Sequence, residues 1–394
     1  MPKSRVRKPK RSGGRRAPTW SGDWGEMEPW IRAMMAADDA EASGDAVGTL
    51  DIMEAFATGP DGEFFWRPWR VDYLMQLTLL ESLLPGWVVS RWLCAQAHQW
   101  LHEGSRRRRE RAFDLAVELR GGPANLPGRD EADAYGRVVD RDWIYRQQYL
   151  YELGGLESFL KHRASSRLLA QADSVHEWAR APMGGYRLVG STPDSVTWLD
   201  LATDEPHTVL NIGSGCLVLP GEHAIGRLAP IEGGELFETR PLLVSAAVAR
   251  RVADGPADWF EILSEEPATD QELSSREARY TTLLTDVPTL VWQTTLLEGL
   301  QSPDITDERL LARALLDRAA GELSELTGPA RGSEGEVDPW SCLGAGLVDP
   351  GVVVVMHEVA RPADRPTLEA LGQLLAEPAA SVCRAMAHEL AEAA

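Results

Sequence analysis

The spacing of apolar residues changes near residue 186, and this change constrains the fold more than any other feature of the chain. Before it, apolar residues recur every three to four positions, as over 71–84, which is typical of buried α-helices. After it come short apolar runs divided by Gly, Pro, Asp and Ser. A spacing of about 8–12 residues between such runs indicates a compact antiparallel sheet. From about residue 257 the helical spacing returns.

These patterns predict a mainly α fold with a small inserted antiparallel β barrel or sandwich, in a multi-domain α+β arrangement. The length agrees, because 394 residues correspond to two or three domains of about 150 residues each. We divide the chain into four parts. They are a disordered basic N-terminal arm over 1–18, a Trp-rich helical domain over 19–182, a small β-rich module with a closing helix over 183–256, and a C-terminal helical domain over 257–394.

The same patterns place the individual elements. Helices are predicted over 29–43, 46–56, 71–84, 87–103, 106–120, 131–153, 156–181, 242–253, 272–285, 289–300, 307–326 and 367–392, the last split near Pro378. Strands are predicted over 186–189, 196–201, 207–212, 216–219 and 224–231. The run over 352–359 fits either a strand or a buried helix.

Charge is distributed unevenly. The chain carries 40 basic and 60 acidic residues, a net charge of −20, yet its first sixteen residues hold eight basic groups and no acid. We call residues 1–18 the basic arm; its cations are Lys3, Arg5, Arg7, Lys8, Lys10, Arg11, Arg15 and Arg16. Ser, Gly, Pro and charge dominate this segment, so it is expected to be disordered. A cationic arm on an acidic body favours contact with nucleic acid or with an acidic partner, although such an arm could also fold back onto the body or only aid solubility.

Several function classes lack their motifs. The chain contains no Gly-Lys pair, so it has no P-loop, and Lys161 is the one lysine outside the arm that could form a Schiff base. The four cysteines are far apart and form no C-x-x-C, which argues against a zinc ribbon or a disulfide framework. No apolar stretch approaches the roughly 18 residues of a membrane span. We therefore expect no cofactor, no membrane contact and a cytoplasmic location.

Two clusters could serve recognition. Arg106, Arg107, Arg108 and Arg109 form a second basic run at the start of a predicted helix, where the helix dipole disfavours cations unless an anion is near. We add them to the residues that could contact nucleic acid or an acidic partner. Phe65, Trp66 and Trp69 alternate with arginines, and such aromatics pack in a core or form a partner surface.

The histidines suggest weaker chemistry. His98 and His102 stand four residues apart on a predicted helix, so both rings could reach one metal ion. The Glu of the H-E-x-x-H motif is missing, and a hydrogen-bonded or solvated helix face explains the pair equally well. We therefore predict no metal site, with these two histidines as the weak candidates.

Three functions remain open from the sequence. The first is a non-enzymatic cytoplasmic scaffold or regulatory protein whose basic arm contacts nucleic acid or an acidic partner. The second is a module that binds a protein partner without nucleic acid. The third is a metal-dependent hydrolase whose catalytic residues are dispersed in the sequence, because catalytic groups assemble in space rather than along the chain.

Overall fold

The structure is a computed structural model that describes residues 24–59, 62–80, 83–101, 103–126, 130–215, 218–265, 308–326, 339–347 and 350–392. The predicted disorder of the basic arm and the predicted helices over 272–285 and 289–300 lie outside these residues. The described part is mostly helical and contains one curled seven-stranded sheet, which confirms the α+β prediction.

Helices dominate the chain before the sheet. Within the described residues they are α1 Trp24–Ser43, α2 Ala46–Ala55, α3 Pro68–Leu80, α4 Gly86–Gln99, α5 Glu103–Leu119, α6 Glu131–Arg141, α7 Trp143–Gln147, a π-helix Gln148–Glu152, α8 Gly155–His162, α9 Ser166–Gln171 and α10 Val175–Trp178. The first five match the predicted helices to within a few residues.

Gly44 and Asp45 divide α1 from α2, as their residue types predict. Gly44 has a φ of +87°, in the left-handed region that glycine adopts at little cost. The Asp45 carboxylate then accepts a hydrogen bond from the backbone N–H of Gly48 at 2.8 Å, which caps the start of α2. The two helices therefore form an antiparallel hairpin that packs on α3.

The predicted helix over 131–153 is interrupted at Asp142. Its backbone is extended, with φ −79° and ψ 120°, and its carboxylate accepts a hydrogen bond from the Tyr145 N–H at 2.8 Å. The same carboxylate accepts from the buried Arg120 at 2.8 Å. Apolar residues recur at helical spacing through both α6 and α7. Periodicity alone therefore could not reveal the break, which the side-chain cap at Asp142 produces. The predicted helix over 156–181 is likewise replaced by α8, α9 and α10.

The sheet follows α10. Its strands are β1 Gly184–Ser191, β2 Ser195–Asp200, β3 Pro206–Leu210, β4 His223–Gly226, β5 Leu228–Ile231, β6 Gly234–Phe237 and β7 Leu242–Val244. Their order across the sheet is β5-β6-β3-β2-β1-β4-β7. The pairs are antiparallel except β3 with β6, which run parallel where Val209 is paired with Glu235. The sheet is curled into a half-barrel.

The prediction of an antiparallel barrel or sandwich is thus confirmed only in part. The predicted strand over 224–231 is two strands, because the chain turns at Arg227, whose guanidinium points into the helical core. The sequence did not predict strand β6. It assigned the residues of β7 to a helix, but that helix begins only at Ala246, where the Ser245 hydroxyl accepts a hydrogen bond from the Val248 N–H. The long return from β3 to β6 creates the parallel pair that hairpin reasoning does not anticipate.

The remaining elements are helical. After the sheet come α11 Ala246–Asp254, α12 Trp259–Ser264, α13 Glu308–Leu326, α14 Pro339–Gly346, α15 Pro350–Val359, α16 Arg365–Leu374 and α17 Ala379–Glu392. The ambiguous run over 352–359 is therefore a helix, and the split near Pro378 is confirmed.

Three large apolar clusters and one small one, in which Leu201 packs on Ala249 and Ala253 of α11, hold the described elements together. The largest joins residues of the first ten helices to the sheet and to α11 and α12, through side chains such as Trp143, Trp178, Ile225 and Trp259. A second lies within α13 to α17 and includes Leu80 of α3. A third lies on the sheet around Trp198. The helical region and the sheet thus share one core, while the domain boundaries at 182 and 256 stay predictions.

Candidate functional site

Helix α5 separates the four arginines of the second basic run. Arg106 is exposed and forms an ion pair with Glu110, one turn further along the helix, at 2.9 Å. Arg107 is exposed and Arg108 is half-buried. Arg109 is buried, with 8% of its surface exposed. A run of four residues covers more than a full helical turn, so its members must face different surroundings.

Arg109 is a structural residue. Its guanidinium donates hydrogen bonds to the backbone oxygens of His98 and Trp100, the latter at 3.2 Å, and to the Tyr145 hydroxyl at 3.2 Å. It also lies over the Tyr149 ring, 4.6 Å from the ring centre. These contacts close the C-terminal end of α4, where the last carbonyls of a helix need donors. Arg109 therefore cannot reach a phosphate without leaving the core.

Three arginines remain on the outer side of α5. Arg107, Arg108 and Arg111 stand three and four residues apart, so they are neighbours on the helix surface. None of the three forms an ion pair or a hydrogen bond within the described residues, whereas several exposed arginines elsewhere do, such as Arg137 with Asp133 at 3.3 Å. We call Arg107, Arg108 and Arg111 the α5 face. Like charges at this spacing repel one another, which an anionic partner would relieve.

The aromatic run before α3 is mainly part of the core. Trp66 is 5% exposed, and its indole N–H donates to the Met53 backbone oxygen at 2.8 Å. Phe65 is half-buried and packs edge-on against Trp66 with ring centres 5.0 Å apart. The side chain of Trp69 lies outside the described residues. The described side chains of the partner surface predicted from the sequence therefore expose little area that a partner could contact.

His98 is buried inside the helical region. Its Nε2 donates a hydrogen bond to the Val139 backbone oxygen at 2.6 Å, and its ring packs edge-on against Tyr145. Burial lowers the pKa of His98 well below its ordinary value, and the charges of Arg146, Arg109 and Arg67 lower it further. His102 lies outside the described residues. Within the residues described, no group of three or more His, Cys, Asp or Glu side chains could hold a metal ion.

Sequence reasoning missed a cluster of five polar residues, four of them buried, that lies between the helices and the sheet. Glu238, in the turn after β6, accepts hydrogen bonds from Arg146 at 3.1 Å and from Gln147 at 2.5 Å. Arg227, at the corner between β4 and β5, donates to Gln147 at 2.8 Å and to Glu152. We call these five residues the helix–sheet cluster. They come from two separate stretches of the chain, 146–152 and 227–238, so no single motif could have revealed them.

Further titratable groups adjoin this cluster. Tyr73 of α3, Arg91 and Cys94 of α4, and Tyr151 of the π-helix lie close enough to Arg146 and Glu238 to influence their charges. Burial raises the pKa of Cys94 to about 12 and also raises the pKa of both tyrosines. A thiol and two phenols that stay protonated at neutral pH are poor nucleophiles and poor bases.

Comparison of the chain with known protein families, with curated proteins and with solved structures returns no match. No helix in the described part of the chain is long and apolar enough to cross a membrane.

Proposed function

We propose that the protein is a non-enzymatic cytoplasmic scaffold or regulatory protein that binds the phosphate backbone of nucleic acid through its basic arm and the α5 face. One observation carries this proposal. Arg107, Arg108 and Arg111 have no acidic partner among the described residues, in a chain whose net charge is −20. Three unpaired cations on one helix face repel one another, and a bound phosphate group would relieve that repulsion.

The physics of backbone binding sets the expected strength. Each phosphate neutralised by a cation releases counterions, which makes the logarithm of affinity fall with the logarithm of salt by about 0.9 per contact. The eight cations of the arm would give a slope near −7, and three more on the α5 face would add about −3. Repulsion from the acidic body makes the slope shallower and the binding weak. Sequence preference is expected to be low, because backbone contacts do not identify bases.

Binding of labelled duplex DNA and of RNA, measured by fluorescence anisotropy at several salt concentrations, tests the proposal. Four proteins are compared: the full chain, a chain that begins at Ala17, the α5-face variant Arg107→Gln/Arg108→Gln/Arg111→Gln, and the control Arg137→Gln. Removal of the arm and the α5-face substitutions should each weaken binding and make the salt slope shallower. The control removes an exposed cation that already pairs with Asp133, so it should leave both unchanged.

Two outcomes would contradict the nucleic-acid proposal. If the shortened chain and the α5-face variant both bind like the full chain, neither basic element contacts nucleic acid. If the full chain binds a poly-glutamate peptide but neither DNA nor RNA, the partner is an acidic protein. That second result would favour the partner-binding module predicted as an alternative from the sequence.

A further inference from the structure

The surroundings of Glu238 hold more cations than carboxylates. Arg227 of the helix–sheet cluster is balanced by Glu152, to which it donates a hydrogen bond. Arg91 and Arg146 both lie beside Glu238. Among the described groups that interact most strongly with these two arginines, Glu238 is the one carboxylate. Two guanidinium groups, of the buried Arg146 and the half-buried Arg91, therefore share one carboxylate. An unbalanced charge in such surroundings is costly unless another charge compensates it.

Hydrogen-bond donors of these two arginines, and of the residue that follows Glu238 in the chain, are unused. Arg146 is 4% exposed and donates to Glu238 through Nη2, but its Nε has no hydrogen-bond partner. Arg91 donates through Nη2 to the Phe237 backbone oxygen at 2.8 Å, and its Nε also has none. The hydroxyl of Thr239, a residue 6% exposed, is likewise without a partner. Buried donors are normally satisfied, and each exception requires an explanation.

The neighbouring groups cannot supply the missing negative charge. Ionised Tyr73, Tyr151 or Cys94 would balance the second arginine, but burial raises the pKa of all three side chains. They remain neutral at physiological pH, so the charge imbalance persists in the folded protein. Arginine itself stays protonated in proteins.

We propose that Arg91 and Arg146, with the Thr239 hydroxyl, form a binding site for a small oxyanion, either a carboxylate or a phosphate group. Both guanidinium groups are planar forks that match two oxygens of such a group, and both retain an unused Nε–H. The site lies where α4, α7 and the turn after β6 meet. Arg91 and Tyr73 are half-buried, so the ligand enters on the side formed by α3 and α4.

The backbone around this site supports a role in binding. Arg146 lies in α7, which continues directly into the π-helix Gln148–Glu152 that carries Tyr151. A π-helical turn is rare in proteins and is frequently found at functional sites. Here it brings Tyr151 beside Glu238 and places Glu152 where it accepts from both Arg227 and Trp259.

Thermal unfolding of the full chain, followed by tryptophan fluorescence, tests the site. Sodium phosphate and sodium acetate are the probes, and sodium chloride at equal ionic strength is the reference. A ligand that binds the folded state raises the unfolding temperature in a saturable manner. We expect saturation with phosphate or acetate and not with chloride, and the anion that saturates identifies the phosphate or carboxylate class.

Conservative variants assign the effect to the site. Arg91→Lys keeps the positive charge but removes the Nε donor and the planar fork, and Thr239→Val removes the unused hydroxyl without changing the side-chain volume much. Each should raise the half-saturating anion concentration by about tenfold or more, as expected for loss of a hydrogen bond to a charged group. Arg111→Gln on the α5 face is the matched control and should retain the original value.

Two results would overturn the site. One is a rise in unfolding temperature no larger with phosphate and acetate than with chloride. The other is an unchanged half-saturating concentration in both Arg91→Lys and Thr239→Val. The site and the α5 face share no residue, so the fate of this proposal and that of nucleic-acid binding can be distinguished.

Discussion

His98 is expected to make the stability of the protein depend on pH in a way that one substitution removes. The ring is buried and donates to Val139, and burial together with three nearby arginines lowers its pKa well below its ordinary value. In the unfolded chain a histidine takes up a proton with a pKa of about 6.5. Below that pH the unfolded state therefore binds a proton that the folded state does not, and the free energy of unfolding falls.

The size of the effect follows from the linkage of proton binding to folding. If His98 stays neutral in the folded protein down to pH 5, lowering the pH from 7.5 to 5 costs about 2 kcal/mol of stability. The sign is fixed by the lowered folded pKa: the contribution is full above about pH 6.5 and is lost as the pH falls towards the folded pKa. Asp142 and Asp38 have raised pKa values through burial, so their protonation acts in the opposite direction.

A comparison with His98→Gln isolates this contribution. Glutamine can still donate from its amide to the Val139 oxygen, but it does not titrate. Urea unfolding of both proteins at pH 7.5, 6.5, 5.5 and 5 gives the difference in their free energies of unfolding. Between pH 7.5 and pH 5 the free energy of unfolding should fall by about 2 kcal/mol more in the original chain than in the variant. A difference that does not change with pH would refute the argument, because it would mean that His98 has the same pKa folded and unfolded.

Two further substitutions test the buried contacts of the fold. Glu41→Ala should lower the free energy of unfolding in urea by about 3–5 kcal/mol, because it leaves the buried Arg70 without its Glu41 partner. Glu28→Ala removes one partner of an exposed ion pair and should cost under about 0.5 kcal/mol. Gly185→Ala should lower the unfolding temperature markedly, because its methyl group would lie 1.9 Å from a backbone oxygen of α11, while Gly190→Ala meets nothing within 4 Å and should be neutral. Equal effects within either pair would contradict the packing described.

The sequence predicted those parts of the fold that depend on local signals. The turn at Gly44 and Asp45, the helices of the first hundred residues and the change to strands near residue 186 all follow from residue type and apolar period. Strand β6 and the break at Asp142 could not be predicted in this way. The first depends on the pairing of Glu235 with Val209 of β3, 26 residues earlier, and the second depends on a carboxylate that caps a helix while it pairs with Arg120.

The candidate sites were predictable to a smaller extent. The run of four arginines in α5 was visible, but the sequence could not show that Arg109 turns inward while Arg106 pairs with Glu110. The helix–sheet cluster was invisible, since each of its members resembles an ordinary surface charge until the chain folds. Buried arginines in particular carry no sequence signal, because the long side chain suits both a surface and a core that supplies acceptors.

The distribution of arginine between core and surface limits how strongly the α5 face can bind an anion. Five arginines are buried among the described residues, Arg70, Arg109, Arg120, Arg146 and Arg227, against three acids, Glu41, Asp142 and Glu238. The core therefore withdraws more positive than negative charge from the surface, and the solvent-facing part of the described residues is more acidic than a count of their charges suggests. On such a surface the three arginines of the α5 face lie in a field that attracts cations and repels anions. An anion that binds there must gain enough from direct contact with these arginines to overcome that field, so binding should be confined to low salt and to partners that engage the basic arm as well.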